Sequence, residues 1–81
     1  MVATMAARNA DTLAALCRRE RDRRDWTQAE AACAIGVHLR TYQRWEAGET
    51  MPRAAERRAV ARTLNISVAI LRRLCRLERM P

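Results

Sequence analysis

Apolar residues recur at intervals of three and four along most of this 81-residue chain, which is the spacing of helices that bury one face. Only two glycines and two prolines interrupt the pattern, and few residues alternate as they do in a half-buried strand. The pattern predicts an all-α fold of five short helices joined by brief loops. Residues 1–10 lack a strong apolar face, so we expect a flexible N-terminal tail there and one domain over residues 11–81.

Capping and turn residues predict where the first helix begins and ends. Either Asp11 or Thr12 is suited to cap its start. Asp25 interrupts the periodic pattern, and Trp26 follows as an apolar residue at the junction to the next helix. The inward side of this helix is predicted to carry Leu13, Leu16, Cys17 and Glu20.

Two further helices are predicted over residues 27–48. Thr27 and Glu30 have the spacing of a capping box at the start of the second helix. Gly36 is suited to the left-handed conformation that ends it, and the third helix is predicted to run from His38 to about residue 47. On this third helix the predicted inward residues are Tyr42 and Trp45, and the predicted outward residues are Arg40, Gln43 and Arg44.

The remaining residues predict a fourth and a fifth helix. Pro52 is suited to a place at or beside the first position of the fourth. Its predicted buried stripe is Ala55, Ala59, Val60 and Leu64. After a short break, Ser67 is suited to cap a fifth helix that ends at about Arg79. This helix has two apolar lines, more than one small core needs, and we expect a dimer interface formed by Ile70, Leu74 and Leu77.

The charge of the chain points to a polyanionic partner. The formal net charge is +7, and every basic residue is arginine. A GC-rich coding sequence would explain the absence of lysine, but it would not explain the surplus of positive charge. Arginine forms bidentate contacts with phosphate and guanine, so nucleic acid is the partner that this composition favours.

Other classes of protein receive little support from the sequence. The three cysteines are widely separated and only one histidine is present, so we expect no metal site and no cofactor. An odd number of thiols fits a reducing cytosol, with the thiols mostly buried. No apolar run approaches the length of a membrane span. No arrangement of nucleophile, base and acid suggests an enzyme, and no site for a small-molecule ligand is evident.

A set of residues in register makes a family resemblance specific. These are Thr27-Gln28, Ala32, Gly36-Val37, Tyr42-x-x-Trp45-Glu46-x-Gly48 and Pro52. With them the chain resembles the lambda-repressor-like helix-turn-helix family, also called the Cro/C1-type or XRE family, over roughly residues 12–71. The resemblance implies a compact five-helix domain that binds double-stranded DNA in the prokaryotic cytosol or nucleoid.

The resemblance also implies roles for individual residues. The outward face of the recognition helix is expected to contact bases through Leu39, Arg40, Gln43 and Arg44. The residues expected to contact phosphates are Thr27, Gln28, His38, Thr41 and Arg53. Arg21 and Glu46 occupy the positions of a structural ion pair. Two positions depart from the family pattern: Ala31 stands where leucine is usual, and His38 replaces the usual Ser, Thr or Asn cap.

The resemblance further implies a repressor that binds an inverted-repeat operator as a homodimer, with half-sites about 10 bp apart or a multiple of that distance. Stand-alone proteins of this kind resemble the repressors of phages, plasmids and other mobile genetic elements, and the controllers of restriction–modification systems. Two alternatives stay open: an antitoxin-like protein whose main partner is another protein, and a protein-interaction module that keeps the motif as a scaffold.

Overall fold

The computed structural model describes residues 12–79, with side chains up to residue 77, so the tail predicted over residues 1–10 lies outside the described residues. Within this range the chain forms five helices and no strand, and the all-α prediction is confirmed. The helices are α1 (Leu13–Arg23), α2 (Gln28–Ile35), α3 (Leu39–Glu46), α4 (Ala54–Leu64) and α5 (Val68–Arg79).

Local hydrogen bonds fix the starts of the helices. The Thr12 hydroxyl accepts from the Ala15 N–H at 3.1 Å at the start of α1. At the start of α2, the Thr27 hydroxyl accepts from the Glu30 N–H at 3.1 Å, and the Glu30 carboxylate accepts from the Thr27 N–H at 2.7 Å. Both orphan donors of the predicted capping box are therefore satisfied.

The fourth helix begins later than the position of Pro52 predicts. Arg53 is its N-cap and Ala54 its first residue, which places the buried Pro52 one residue before the cap. The Arg53 N–H donates to the Glu56 carboxylate at 2.8 Å. This bond, rather than the proline ring, supplies the stabilising contact at the helix start.

Left-handed residues are the C-caps of two helices, and another follows the C-cap of α1. Gly36 ends α2 with a φ of 95°, and Asn65 ends α4 with a φ of 56°. Asp25 follows α1 with a φ of 55°. Asparagine and aspartate tolerate this region better than other side chains, and glycine tolerates it without cost from a Cβ atom. Each of these residues turns the chain directly into the next loop.

The two aromatic residues of α3 lie in the core. Tyr42 is 0% exposed and Trp45 is 1% exposed, and their rings meet edge to face with centroids 6.1 Å apart. Helix α3 packs on α1 and α2, α4 packs on α2 and α5, and α5 returns to contact α1. The recognition helix is therefore anchored along one whole face.

Two sequence-based expectations about burial were wrong. Ala55 is exposed, because it lies nine residues before the buried Leu64 and so half a turn away around the helix; Ala61 is buried instead. The expectation of mostly buried thiols agrees with the structure, since Cys17 and Cys75 are buried and Cys33 is exposed. Leu74, expected at a dimer interface, is 6% exposed and belongs to the core cluster, because its spacing from the buried Leu71 keeps it on the same helix face.

Candidate nucleic-acid interface

Helix α3 presents a polar face opposite the aromatic face that anchors it. Arg40, Gln43 and Arg44 are exposed, and Leu39 at the start of the helix is 41% exposed. These are the four residues that sequence reasoning assigned to base contacts. An α-helix fits into the major groove of B-DNA, which is about 12 Å wide. The exposed face of α3 therefore has side chains of the length and chemistry that reach base edges.

Two shallow surface depressions bring predicted contact residues together. Arg40, Gln43 and Arg44 line the first, beside Ala47 and Glu49. The second is lined by Thr41, Arg44, Trp45, Thr50, Met51, Arg53 and Glu56. Arg44 borders both depressions, so it lies between the predicted base-contacting residues and the predicted phosphate-contacting pair of Thr41 and Arg53.

The other predicted phosphate-contacting residues occupy helix starts. Thr27 is the exposed N-cap of α2, and its hydroxyl is already used within the capping box. His38 is the exposed N-cap of α3 and makes no capping hydrogen bond through its side chain. Gln28 is partly buried, and its amide bonds to other side chains within the domain. Thr27 and Gln28 thus lie at the start of α2, and His38 lies beyond the other end of α2, at the start of α3.

Arg21 and Glu46 join α1 to the end of α3 through two parallel hydrogen bonds. The Arg21 Nε donates to Glu46 Oε2 at 2.7 Å, and Nη2 donates to Oε1 at 3.2 Å. A third bond runs from Arg21 Nη1 to the Trp26 carbonyl oxygen at 3.1 Å. The side chains are 19% and 5% exposed. Bidentate pairing of this kind satisfies the carboxylate and fixes its orientation.

The carboxyl group of Glu46 is held in its ionised form. Burial alone would raise its pKa, but hydrogen bonds from Arg21 and Gln28 help to outweigh burial and hold the pKa below the usual 4.5. Burial and the neighbouring Glu46 carboxylate raise the pKa of the Tyr42 hydroxyl. That hydroxyl also donates to the Cys17 carbonyl oxygen at 3.3 Å. The group around Glu46 is thus a polar centre inside an apolar core.

Sequence reasoning missed a second contact between α1 and Glu46. The Arg18 Nη1 donates to the backbone carbonyl oxygen of Glu46 at 2.8 Å. This carbonyl lies in the last turn of α3, where no later N–H of the helix is available to it. No local sequence signal marks the bond, because the two residues are 28 positions apart.

A buried carboxylate on α1 was also missed as an ion-pair centre. Glu20 is 4% exposed and lies within 2.9 Å of an Arg24 nitrogen and 3.1 Å of an Arg23 nitrogen. Burial would raise its pKa, but these arginines lower it below the usual value. The signal was present in the sequence, because Arg23 and Arg24 follow Glu20 at the helical spacings of three and four.

Comparison with known proteins decides the family. The model of a helix-turn-helix family matches residues 18–71, which run from within α1 into α5 and include all of α2, α3 and α4. The chain belongs to this helix-turn-helix family. The resemblance to the lambda-repressor-like, Cro/C1-type family is thereby confirmed. Membership identifies the protein as a DNA-binding regulator.

One curated relative of this helix-turn-helix protein is Type II methyltransferase M.SsoII of Shigella sonnei. The two are 45% identical over 53 residues, which are 62% of this chain and 14% of the methyltransferase. The chain therefore spans a small part of that protein's length. No solved structure matches the chain at a significant level.

Two kinds of feature are absent from the described part of the chain. No helix there is long and apolar enough to cross a membrane. Among the same residues, no group of three or more His, Cys, Asp or Glu side chains is arranged to hold a metal ion.

Proposed function

We propose that this helix-turn-helix protein is a transcriptional repressor that binds an inverted-repeat operator as a homodimer. The observation that carries the proposal is the outward face of α3. Three exposed polar side chains lie together there, on a helix whose opposite face is fixed by the buried Tyr42 and Trp45. The proposed role is binding, and it requires no catalytic step.

The contacts with bases are proposed to follow from the order of residues along α3. Arg40 and Arg44 are one helical turn apart, so each is suited to donate two hydrogen bonds to O6 and N7 of a guanine. Gln43 lies between them and is suited to adenine. Leu39, at the exposed start of the helix, is suited to contact the methyl group of a thymine.

Phosphate contacts are proposed to set the depth and register of α3 in the groove. Arg53 is exposed and borders the depression that also holds Thr41. Thr27 and His38 lie at the exposed starts of α2 and α3, where backbone N–H groups of the first turn favour an anion. Such contacts add affinity without sequence preference, and each released counterion makes binding sensitive to salt.

Dimerisation is proposed to use the outer side of α5. Ile70 and Leu77 are 50% and 51% exposed, and both are large apolar residues. Two copies joined through this side would place two recognition helices on one duplex, and the second contact would raise the overall affinity by its effective concentration. A dimer on a promoter would repress transcription by occupying the site of the polymerase.

One observation favours a role as the controller of a restriction–modification system. The match to a type II methyltransferase covers 62% of this chain at 45% identity, and such methyltransferases belong to restriction–modification systems. A DNA-binding unit of this kind could act as a separate controller or as part of a larger chain. Antitoxin-like and protein-interaction roles remain the alternatives if DNA proves not to be the main partner.

Footprinting on the DNA upstream of the protein's own gene tests the proposal. We expect two protected half-sites related by inversion, with centres about 10 bp apart or a multiple of that distance, and affinity that falls as salt rises.

Replacing Ile70 and Leu77 by serine is expected to produce monomers in sedimentation and to weaken binding to the two half-sites together. Matched Ala29→Ser and Ala34→Ser changes on exposed positions of α2 control for lost apolar surface.

Two results would contradict the proposal. If the wild-type protein stays monomeric at the concentrations that give a footprint, the proposal that it binds DNA as a dimer is wrong. If the protein binds upstream DNA and unrelated DNA equally at every salt concentration, the proposal that it recognises a specific operator is wrong. The second result, combined with stable capture of a partner protein, would favour the antitoxin-like role.

A further inference from the structure

A continuous chain of side-chain hydrogen bonds runs from the buried ion pair to the exposed face of α3. Arg21 donates to Glu46 at 2.7 Å, and Gln28 Nε2 donates to Glu46 Oε1 at 3.0 Å. Gln43 Nε2 then donates to Gln28 Oε1 at 3.3 Å. We call these four residues the hydrogen-bond chain. It begins in the core and ends on a residue of the proposed base-contacting face.

The charge at the buried end fixes the direction of every bond in the hydrogen-bond chain. An ionised carboxylate accepts hydrogen bonds and cannot donate them. Glu46, paired with Arg21 through both oxygens, therefore requires the nitrogen of the Gln28 amide. With its nitrogen turned toward Glu46, Gln28 directs its oxygen toward Gln43. That oxygen in turn requires the nitrogen of the Gln43 amide.

The outcome at the exposed end is a glutamine with a fixed donor and acceptor. The Gln43 oxygen and the second hydrogen of its nitrogen both remain available for a ligand. An adenine in the major groove offers the complementary pair, an N6 amino donor beside an N7 acceptor. Rotation of the Gln43 amide by half a turn would bring its oxygen against the oxygen of Gln28, which neither group can satisfy.

We propose that Gln28 is a positioning residue that fixes the orientation of the Gln43 amide so that Gln43 recognises adenine. The inference rests on the proposed function, since it concerns the same base-contacting face. It gives Gln28 a role beyond the contact with phosphate that the family resemblance implies. A residue that only contacts phosphate changes affinity for all sequences alike, whereas a positioning residue changes preference at one base pair.

Selection of binding sites from random duplex DNA tests the inference, with wild type, Gln43→Ala, Gln28→Met and Arg53→Ala. Methionine has a length similar to glutamine and forms no comparable hydrogen bonds, so Gln28→Met ends the chain at Glu46 with little change in volume. Arg53→Ala is the control for a phosphate contact. Circular dichroism establishes that each variant folds, and Gln28→Asn, which keeps an amide on a shorter side chain, provides a second variant of the position.

We expect wild type to prefer adenine at one position in each half-site by roughly 5- to 150-fold, the range for a bidentate base contact. Gln43→Ala should lose this preference, and Gln28→Met should reduce it by about 5-fold, the equivalent of one net hydrogen bond. Positions contacted by Arg40 and Arg44 should be unchanged. Arg53→Ala should weaken binding to all sequences by the same factor.

Three results would overturn the inference. Retention of the full wild-type adenine preference by Gln28→Met would mean that Gln43 is oriented without Gln28. A uniform loss of affinity in Gln28→Met, like that of Arg53→Ala, would leave Gln28 with a phosphate contact alone. Selection of the same bases by wild type and Gln43→Ala would mean that Gln43 recognises no base. If wild type selects no sequence at all, the proposed function itself has failed.

Discussion

At the scale of single residues, the carboxylate of Glu46 is the polar group on which most other contacts at the interface depend. It accepts from Arg21 on α1 and from Gln28 on α2, while its own residue closes α3. Three helices therefore meet at one buried charge. An apolar residue at this position could fill the volume, but it could not orient the side chains on α1 and α2 relative to α3.

Replacing Arg21 by methionine should destabilise the domain by about 3–5 kcal/mol near pH 7, because it leaves the Glu46 carboxylate buried without its charged partner. The folded-state pKa of Glu46 lies below the usual 4.5, so its interactions stabilise the fold above that value and are lost as pH falls through the folded pKa. The difference between wild type and Arg21→Met should therefore shrink on acidification to about pH 3.5. Urea unfolding at both pH values measures it.

Arg23→Met is the matched control. The Arg23 side chain is 69% exposed, and its partner Glu20 keeps a 2.9 Å contact with Arg24. Loss of such an exposed partner should cost less than about 1 kcal/mol. Equal losses in Arg21→Met and Arg23→Met, or a loss in Arg21→Met that does not change with pH, would contradict the role given to Glu46.

At the scale of helices and turns, the position of α3 relative to α2 depends on how α2 ends. Gly36 has a φ of 95° and its N–H bonds to the Ala32 carbonyl oxygen at 2.8 Å. Val37 follows with a bond to the same oxygen at 3.0 Å. This pair of bonds stops α2 and sets the direction in which the chain enters α3, so the angle between the two helices depends on the backbone conformation of one residue.

Gly36→Ala should destabilise the domain by roughly 1–2 kcal/mol, because a Cβ atom disfavours the left-handed region. An added Cβ would meet no atom within 4 Å, so the cost arises from the backbone alone. Thermal unfolding measures the loss. Gly36→Asn is the control, since asparagine tolerates positive φ better than alanine and should lose less. Unchanged stability in Gly36→Ala would mean that the turn adopts another conformation in solution.

The success of sequence reasoning at this scale followed the range of the interactions. The capping box of Thr27 and Glu30 was predictable because both partners lie within one helical turn. The exposure of Ala55 was not predictable, because alanines lie on two sides of α4 and the sequence pattern does not show which side is buried. The bond from Gln28 to Glu46 and the bond from Gln43 to Gln28 could not be predicted either, since they depend on how three helices pack.

At the scale of the whole molecule, the net charge of +7 does not by itself identify the DNA-facing surface. Several arginines are used inside the domain: Arg18 and Arg21 bind Glu46, and Arg24 binds Glu20 and lies over the Trp26 ring at 5.6 Å. Composition predicted the class of partner. The family resemblance already separated Arg21 from the outward arginines of α3, and the structure adds Arg18 and Arg24 to the arginines that bind groups within the domain.

The central claim is that the exposed arginines of α3 give the protein its sequence preference. Arg40→Ala/Arg44→Ala removes two charges one helical turn apart on α3, and Arg72→Ala/Arg76→Ala removes two at the same spacing from exposed positions on α5. Both double variants lose the same net charge. The most direct measurement is the ratio of affinities for the footprinted duplex and for a scrambled duplex of equal length, at one salt concentration.

The α3 double variant should lose its discrimination, at about 1–3 kcal/mol for each base contact removed. The α5 double variant should keep the wild-type ratio, even where its absolute affinity falls with the lost charge. An α3 variant that discriminates between the two duplexes as well as wild type does would contradict the assignment of this face.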